Sequence, residues 1–172
     1  LPGQRMPVWV FLEVITFGRF RSFFEFCANK ANDIPLKDEA YRLKTVKSIR
    51  NAAGHSNCIL NDLRLARSKE ENSTHDLNRA VLNKVRRFLP SKSTVSSNRE
   101  PDAIQNDRLK EIATLFFVHS RNLPSEAMRQ HYKEELSSFV ARMNRHLDDY
   151  YKDNICIQNA FALIENLVTN WY

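Results

Sequence analysis

The stretch that decides the fold is PVWVFLEVITFGRFRSFFEF, residues 7–26, where apolar side chains follow one another at helical spacing. Two sets recur every three or four residues: Val8, Phe11, Leu12 and Ile15, then Phe17, Phe20, Phe24 and Cys27. Pro7 suits a helix start, and the tetrad at residues 32–35, Asn-Asp-Ile-Pro, breaks the pattern. We predict one helix here. Because it is apolar nearly all round, we expect deep burial or a partner on a second side.

The rest of the chain continues this helical periodicity, and strand-like alternation is absent. A second helix is predicted from near Lys37 to beyond Ile59, and a third from residues 73–76 to Leu89. Further helices are predicted near 102–121, 124–151 and 154–171. With only 3 Gly and 6 Pro in 172 residues, the composition disfavours turn-rich β folds and predicts an all-α bundle of about six helices.

The charge balance and a proline-bounded, serine-rich segment divide the chain into three parts. Residues 1–99 carry 18 Lys and Arg against 9 Asp and Glu, whereas residues 100–172 carry 8 against 11. A serine-rich segment bounded by prolines separates them. We therefore predict a basic bundle core over 1–90, a linker over 91–101, and acidic C-terminal helices over 102–172 that pack on the bundle or complete it. The basic part is compatible with a polyanion partner.

The cysteines and the hydropathy restrict the compartment and the cofactors. Cys27, Cys58 and Cys156 are scattered and form no C-x-x-C pair, so neither a disulfide framework nor a zinc site is expected. A reduced, cytoplasmic location fits this usage best. The apolar run at 8–15 is interrupted by Glu13 and is too short to span a bilayer. We expect no membrane association, no metal and no cofactor.

The chemistry-bearing motif is Arg50-Asn51-Ala52-Ala53-Gly54-His55. An arginine can donate two parallel hydrogen bonds to phosphate oxygens, and a histidine can accept or release a proton near neutral pH. Asn51 would orient either of them. These groups suffice to cut a phosphodiester without a metal. The competing interpretation is a chance arrangement of packed or capping side chains on a helix.

The spacing of the motif leaves two geometries open. Asn51 and His55 share a helix face, but Arg50 and His55 lie about 140° apart on a straight helix. One uninterrupted helix therefore would not aim both at one phosphate. Either Gly54 marks a break that re-aims His55, or two copies of the motif face each other across a symmetric dimer.

Two stretches together resemble a known family. MPVWVFLEVITFG, residues 6–18, resembles the helix P-x-W-V-x-x-E-x-x-S/T-F-G of the Abi-like, AbiD/AbiF-type phage abortive-infection proteins. SIRNAAGHSN, residues 48–57, resembles the L-R-N-x-x-x-H helix that follows it in those proteins. The resemblance covers about residues 1–65. The chain departs at Ala53-Gly54-His55-Ser56, where the family often carries Cys-Ala-His or a second histidine.

That family is similar to the HEPN superfamily of small helical bundles, many of which are metal-independent endoribonucleases that dimerise. The resemblance implies a HEPN-like bundle core over 1–90 and a toxin of phage defence, restrained by an RNA or protein antitoxin. It also implies RNA cleavage through the 2′-OH. Arg50, Asn51 and His55 would be catalytic: His55 as general acid or base, Arg50 as the stabiliser of phosphoryl charge, and Asn51 as the positioning group.

Further residues are candidates for contacts with RNA. We predict an RNA-binding set, for which a solvated helix face is the competing interpretation: Lys47, Arg79, Lys84, Arg86 and Arg87. The alternatives to the enzyme are a catalytically inactive RNA-binding bundle and an interaction module whose motif ties helices together. Other polar or aromatic groups are expected to be surface, capping or packing residues: His119, His131, His146, Glu134-Glu135, Asp148-Asp149, Tyr150-Tyr151 and Trp171-Tyr172. A Cys58–His55 nucleophile pair lacks any third group.

Overall fold

The computed structural model describes residues 7–60, 63, 79–87 and 106–172. Over these residues the chain is helical and contains no strand, which confirms the all-α prediction. The predicted linker 91–101 lies outside the described residues. The helices are α1 (Val8–Val14), α2 (Phe17–Ala31), α3 (Ile34–Gly54), α4 (Arg79–Arg86), α5 (Asp107–Arg121), α6 (Glu126–Asn144), α7 (Leu147–Tyr150) and α8 (Ile155–Trp171).

The N-terminal apolar stretch forms two helices, so the prediction of one continuous helix is wrong. Ile15 is extended and ends α1, and Thr16 begins α2 as its N-cap. The Thr16 hydroxyl accepts a hydrogen bond from the Arg19 backbone N–H at 3.4 Å. A threonine side chain that satisfies an otherwise unpaired N–H makes a helix start at this position favourable, although the apolar spacing runs through it.

Deep burial of this stretch, one of the two expectations, is also wrong. Helix α1 has no buried residue, and in α2 only Ala28 is buried. A group of large apolar side chains is exposed instead: Val8, Trp9, Leu12, Val14, Phe23 and Phe26. Phe11 and Phe23 contact each other edge to face at 5.6 Å, which joins α1 to α2. The expectation of a partner on a second side therefore stays open.

The junction between α2 and α3 follows the predicted break at residues 32–35. Asn32 closes α2 in the left-handed conformation with φ of 50°. Asp33 then caps α3, its side chain accepting a hydrogen bond from the Leu36 N–H at 3.0 Å, and Pro35 lies in the first turn. Helix α3 thus begins one turn before Lys37 and ends at Gly54, short of the predicted extension to residues 59–63.

One hydrophobic cluster joins α3, α4, α5, α6 and α8. Its members from before the serine-rich segment are Ile49, Val81 and Val85, and they pack with residues of α5 and α8. Helix α8 contributes the most residues to this cluster: Ala160, Phe161, Leu163, Ile164, Leu167, Val168 and Trp171. The core therefore draws on both the basic and the acidic parts of the chain.

The contacts also fix which helix ends lie together. Lys84, near the end of α4, and Phe117, near the end of α5, meet Trp171 at the end of α8. Arg42, in the first half of α3, also lies against Phe117, and α3 continues for twelve further residues, about 18 Å, to Gly54. The end of α3 therefore lies away from this cluster. No helix in the described part of the chain is long and apolar enough to cross a membrane.

Candidate functional site

The motif lies where α3 ends. Gly54 is the last helical residue, and His55 follows it as the C-cap. The Asn57 N–H donates to the Ala52 carbonyl at 2.9 Å, and the Ser56 N–H donates to the Ala53 carbonyl at 3.0 Å. This pair of hydrogen bonds is the Schellman motif, which closes a helix through one left-handed residue. The helix therefore ends at Gly54, where one of the two sequence alternatives placed a break, and the re-aiming of His55 by that break stays a prediction.

Ser56, rather than Gly54, supplies the left-handed conformation, with φ of 54°. Glycine is the usual residue at this position because a Cβ disfavours it. A Cβ added to Gly54, by contrast, would meet no atom within 4 Å. The glycine that the sequence singled out is thus not required by the turn, and the serine two residues later carries the backbone strain.

The structure brings Arg50 and Asn51 together and leaves His55 beside them. An Arg50 Nη1–H donates to Asn51 Oδ1 at 3.1 Å, and the Asn51 carbonyl accepts the His55 backbone N–H at 3.0 Å. Arg50 and His55 are exposed. Within the described residues no side-chain hydrogen bond joins the imidazole to Arg50 or Asn51. Asn51 therefore holds the guanidinium in place, and both chemical groups remain open to solvent.

Lys47 lies one turn before Arg50, against the start of α2. A Cβ built on Gly18 would lie 2.9 Å from Lys47 Nζ, so the lysine side chain crosses directly over this glycine. The fold thereby brings the two stretches that carry the family resemblance to the same end of the bundle. Neither sequence spacing nor composition predicts this contact, since 29 positions separate the two residues in the sequence.

Lys84 is placed far from the motif, inside an aromatic and cationic cluster. Its Nζ lies 4.6 Å from the centre of the Trp171 ring and 5.6 Å from that of Phe117. The guanidinium carbons of Arg42 and Arg121 lie 5.6 Å and 5.4 Å from the Phe117 ring centre. Burial, and then the positive charges of Arg129 and Arg121, lower the pKa of Lys84.

This cluster and the motif cannot meet the same phosphate. Arg42 and Arg50 are eight residues apart on α3, about 12 Å along the helix axis, and His55 lies further still. Of the other predicted RNA-binding residues, Arg79 and Arg86 begin and end α4, and the exposed Arg87 follows it. The predicted set is therefore divided between the two ends of the bundle.

The remaining candidates are held in local contacts. His131 lies 3.5 Å from Glu135, and His146 lies 3.6 Å from Asp149, all on the surface as expected. Trp171 is buried in the core, also as expected. Within the described ranges no three potential ligands are grouped to hold a metal ion.

The sequence did not predict the contact between His119 and Tyr172. His119 Nδ1 lies 2.6 Å from the Tyr172 hydroxyl, and its ring packs edge to face on Tyr132. Burial lowers the pKa of His119 and raises that of Tyr172 above its usual range, so the neutral Tyr172 hydroxyl donates a hydrogen bond to Nδ1 of a neutral imidazole. The two residues are 53 positions apart in sequence, so no local sequence pattern predicts their contact.

Comparisons with protein-family models, with curated proteins and with solved structures found no match to this chain. The fold defines it as an all-α helical bundle.

Proposed function

We propose that this protein is a metal-independent endoribonuclease of a bacterial phage-defence system, of the abortive-infection or toxin–antitoxin kind. The observation that carries the proposal is the end of α3, where the exposed Arg50 guanidinium donates to Asn51, whose helix face leads one turn later to the exposed His55. The sequence resemblance to Abi-like and HEPN proteins supports it. So does the basic character of residues 1–99.

The chemistry would proceed on the RNA itself. The 2′-oxygen forms a bond to phosphorus while the bond from phosphorus to the 5′-oxygen breaks, which leaves a cyclic phosphate and a 5′-hydroxyl. A base takes the proton of the 2′-OH, and an acid supplies one to the departing 5′-oxygen. His55 serves in one of these two roles. Arg50 stabilises the charge that grows on the phosphoryl oxygens.

One chain offers one such histidine, and this favours a composite site in a homodimer. The exposed apolar side chains of α1 and α2 supply a surface for a second copy, and α1 leads into the turn of α2 that lies beside Lys47. Two copies docked there would bring two motifs towards one cleft.

In sedimentation, we expect a two-chain species for the wild type and a single-chain species for Trp9→Ser. A Trp9→Ser variant that still sediments as two chains would exclude this surface as the dimer interface.

The second candidate is a catalytically inactive RNA-binding or protein-interaction module. The exposed Trp9 and Phe26 favour it. A patch of large apolar side chains on a protein surface usually marks a site that binds a partner. A protein antitoxin would be one such partner. The cytoplasm is the location that suits both candidates.

A cleavage assay separates the two candidates. A labelled single-stranded RNA is incubated in EDTA with wild type, Arg50→Ala and His55→Ala, and with the matched surface controls Arg145→Ala and His131→Ala. The enzyme predicts loss of cleavage only in the first pair, with the helical circular dichroism signal kept. Cleavage that persists in both motif variants would exclude this site, and RNA binding without any product would favour the inactive module.

A further inference from the structure

Helices α2 and α3 enclose an open polar groove of about 360 Å³. Its α2 wall carries Arg21, Glu25 and Asn29, and its α3 wall carries Lys37, Tyr41 and Lys44. None of these residues belongs to the sets predicted from the sequence. The groove lies on the side of α3 that faces α2, away from the aromatic cluster around Phe117.

The groove has an excess of positive charge. Arg21 Nη1 forms an ion pair with Glu25 Oε2 at 3.1 Å, which accounts for the one carboxylate in the lining. Lys37 Nζ donates to the Asn32 side-chain oxygen at 2.8 Å, a neutral partner. Lys44 is exposed and forms no ion pair with any residue that the structure describes. Two lysine charges are therefore left to meet an anion.

The groove is continuous with the motif. Residues 37, 41, 44, 48, 51 and 55 follow one another at alternating intervals of four and three, so their α3 positions share one face. The face that lines the groove at Lys37 and Lys44 therefore also carries Asn51, and His55 lies where the helix ends. Lys37 and Asn51 are about 21 Å apart along the axis.

The α2 wall runs in the opposite direction to α3 and leads to the same place. Gly18 lies beside Lys47, and Arg21, one turn later on α2, lies beside Lys44, one turn earlier on α3. Lys47 lies about 60° round α3 from Lys44, and Arg50 lies about 60° further round. The hydrogen bond from Arg50 to Asn51 turns its guanidinium back towards the face that lines the groove.

We propose that this groove is the track for the sugar–phosphate backbone of a single-stranded RNA whose scissile phosphate lies at Arg50 and His55. The proposal rests on the proposed function and names how that site holds its substrate. A row of lysines attracts the phosphates of a nucleic-acid backbone, and such contacts are independent of base sequence.

The test uses His55→Ala as the background, so that RNA is bound without being cut. Binding of a short labelled single-stranded RNA is followed by anisotropy across a salt series. Adding Lys37→Gln and Lys44→Gln is expected to weaken binding about tenfold and to reduce the slope of log K against log salt by about 1.4, the value for two lost contacts to a single strand. Lys44→Gln alone changes an exposed side chain and serves as the variant least able to disturb the fold.

The charge-matched control is Lys133→Gln with Lys152→Gln, on α6 and after α7, which is expected to leave the slope unchanged. Equal binding by the groove variant and its background overturns the track, while cleavage by wild type would leave the proposed function standing. An equal loss in the control pair overturns the track as well. No binding of RNA by the background at any salt overturns both proposals. Poly-glutamate that competes as well as RNA overturns the track alone, since it would assign the groove to an acidic protein segment.

Discussion

Both ends of the bundle gather positive side chains around α3, but they hold them differently. At one end, Lys84 faces Trp171 and Phe117, and Arg129 donates to the carbonyls of Trp171 and Ser120, each at 3.1 Å. At the other end, Arg50 is exposed and fixed by one hydrogen bond to Asn51. The first set of charges is already used by aromatic faces and helix ends. The second keeps its donors available to a phosphate.

The largest effect on stability is expected at the aromatic end. Trp171→Ala would leave a cavity beside Phe117 and remove the ring under Lys84, at a cost of about 3–5 kcal/mol of the free energy of unfolding. Trp9→Ala, the matched change on exposed α1, should alter it by less than about 0.5 kcal/mol for the single chain, measured below the concentration at which two copies associate. Urea unfolding measures both. Similar losses in the two variants would mean that the two tryptophans do not differ in burial as described.

A smaller effect is expected at the turn after α3. Ser56 lies in the left-handed conformation, which glycine adopts without steric strain. Ser56→Gly is therefore expected to stabilise the protein by about 0.5–1 kcal/mol. Gly54→Ala should stabilise it by a similar amount, about 0.5–1 kcal/mol, because the site is helical and open. The control Ser138→Gly, in the right-handed interior of α6, should destabilise by about 0.5 kcal/mol. Destabilisation by Ser56→Gly would contradict the assigned turn.

The smallest effect is a dependence of stability on pH at the aromatic end. Burial lowers the pKa of His119 in the folded protein, whereas the unfolded chain titrates near its ordinary value of about 6.5. The unfolded state therefore binds more protons, and stability falls as the pH drops below about 6.5 towards the folded pKa. We expect His119→Gln to flatten this part of the melting-temperature profile. His131→Gln controls for loss of an imidazole, and an unchanged slope in His119→Gln would contradict the assignment.

The sequence predicted what local chemistry decides. The apolar stripe of α8 and the break at Asn32–Pro35 follow from spacing and from capping residues, and both are present. The break at Thr16 was missed because apolar spacing continued across it and hid a capping hydroxyl. Periodicity also could not distinguish a buried stripe from the exposed one on α1 and α2, since burial depends on which helices later pack there.

The candidate site was predictable only in part. The contact between Arg50 and Asn51, and the place of His55 one turn after Asn51, follow from their spacing in the sequence. Lys84 was placed with them because residues 79–87 are basic, but its contacts are with Phe117 and Trp171, which are remote in sequence. The groove lysines Lys37 and Lys44 were missed for the same reason, because the α2 wall that makes them a groove is a tertiary feature.

The central claim is that the exposed end of α3, and not the aromatic cluster, performs the chemistry. It is tested most directly by the rate of RNA cleavage in EDTA by His55→Ala, with Lys84→Met assayed beside it. We predict a fall of about 10²–10⁴ for His55→Ala, the contribution of a lost general acid or base, with a rate near that of wild type for Lys84→Met. A wild-type rate in His55→Ala would contradict the claim.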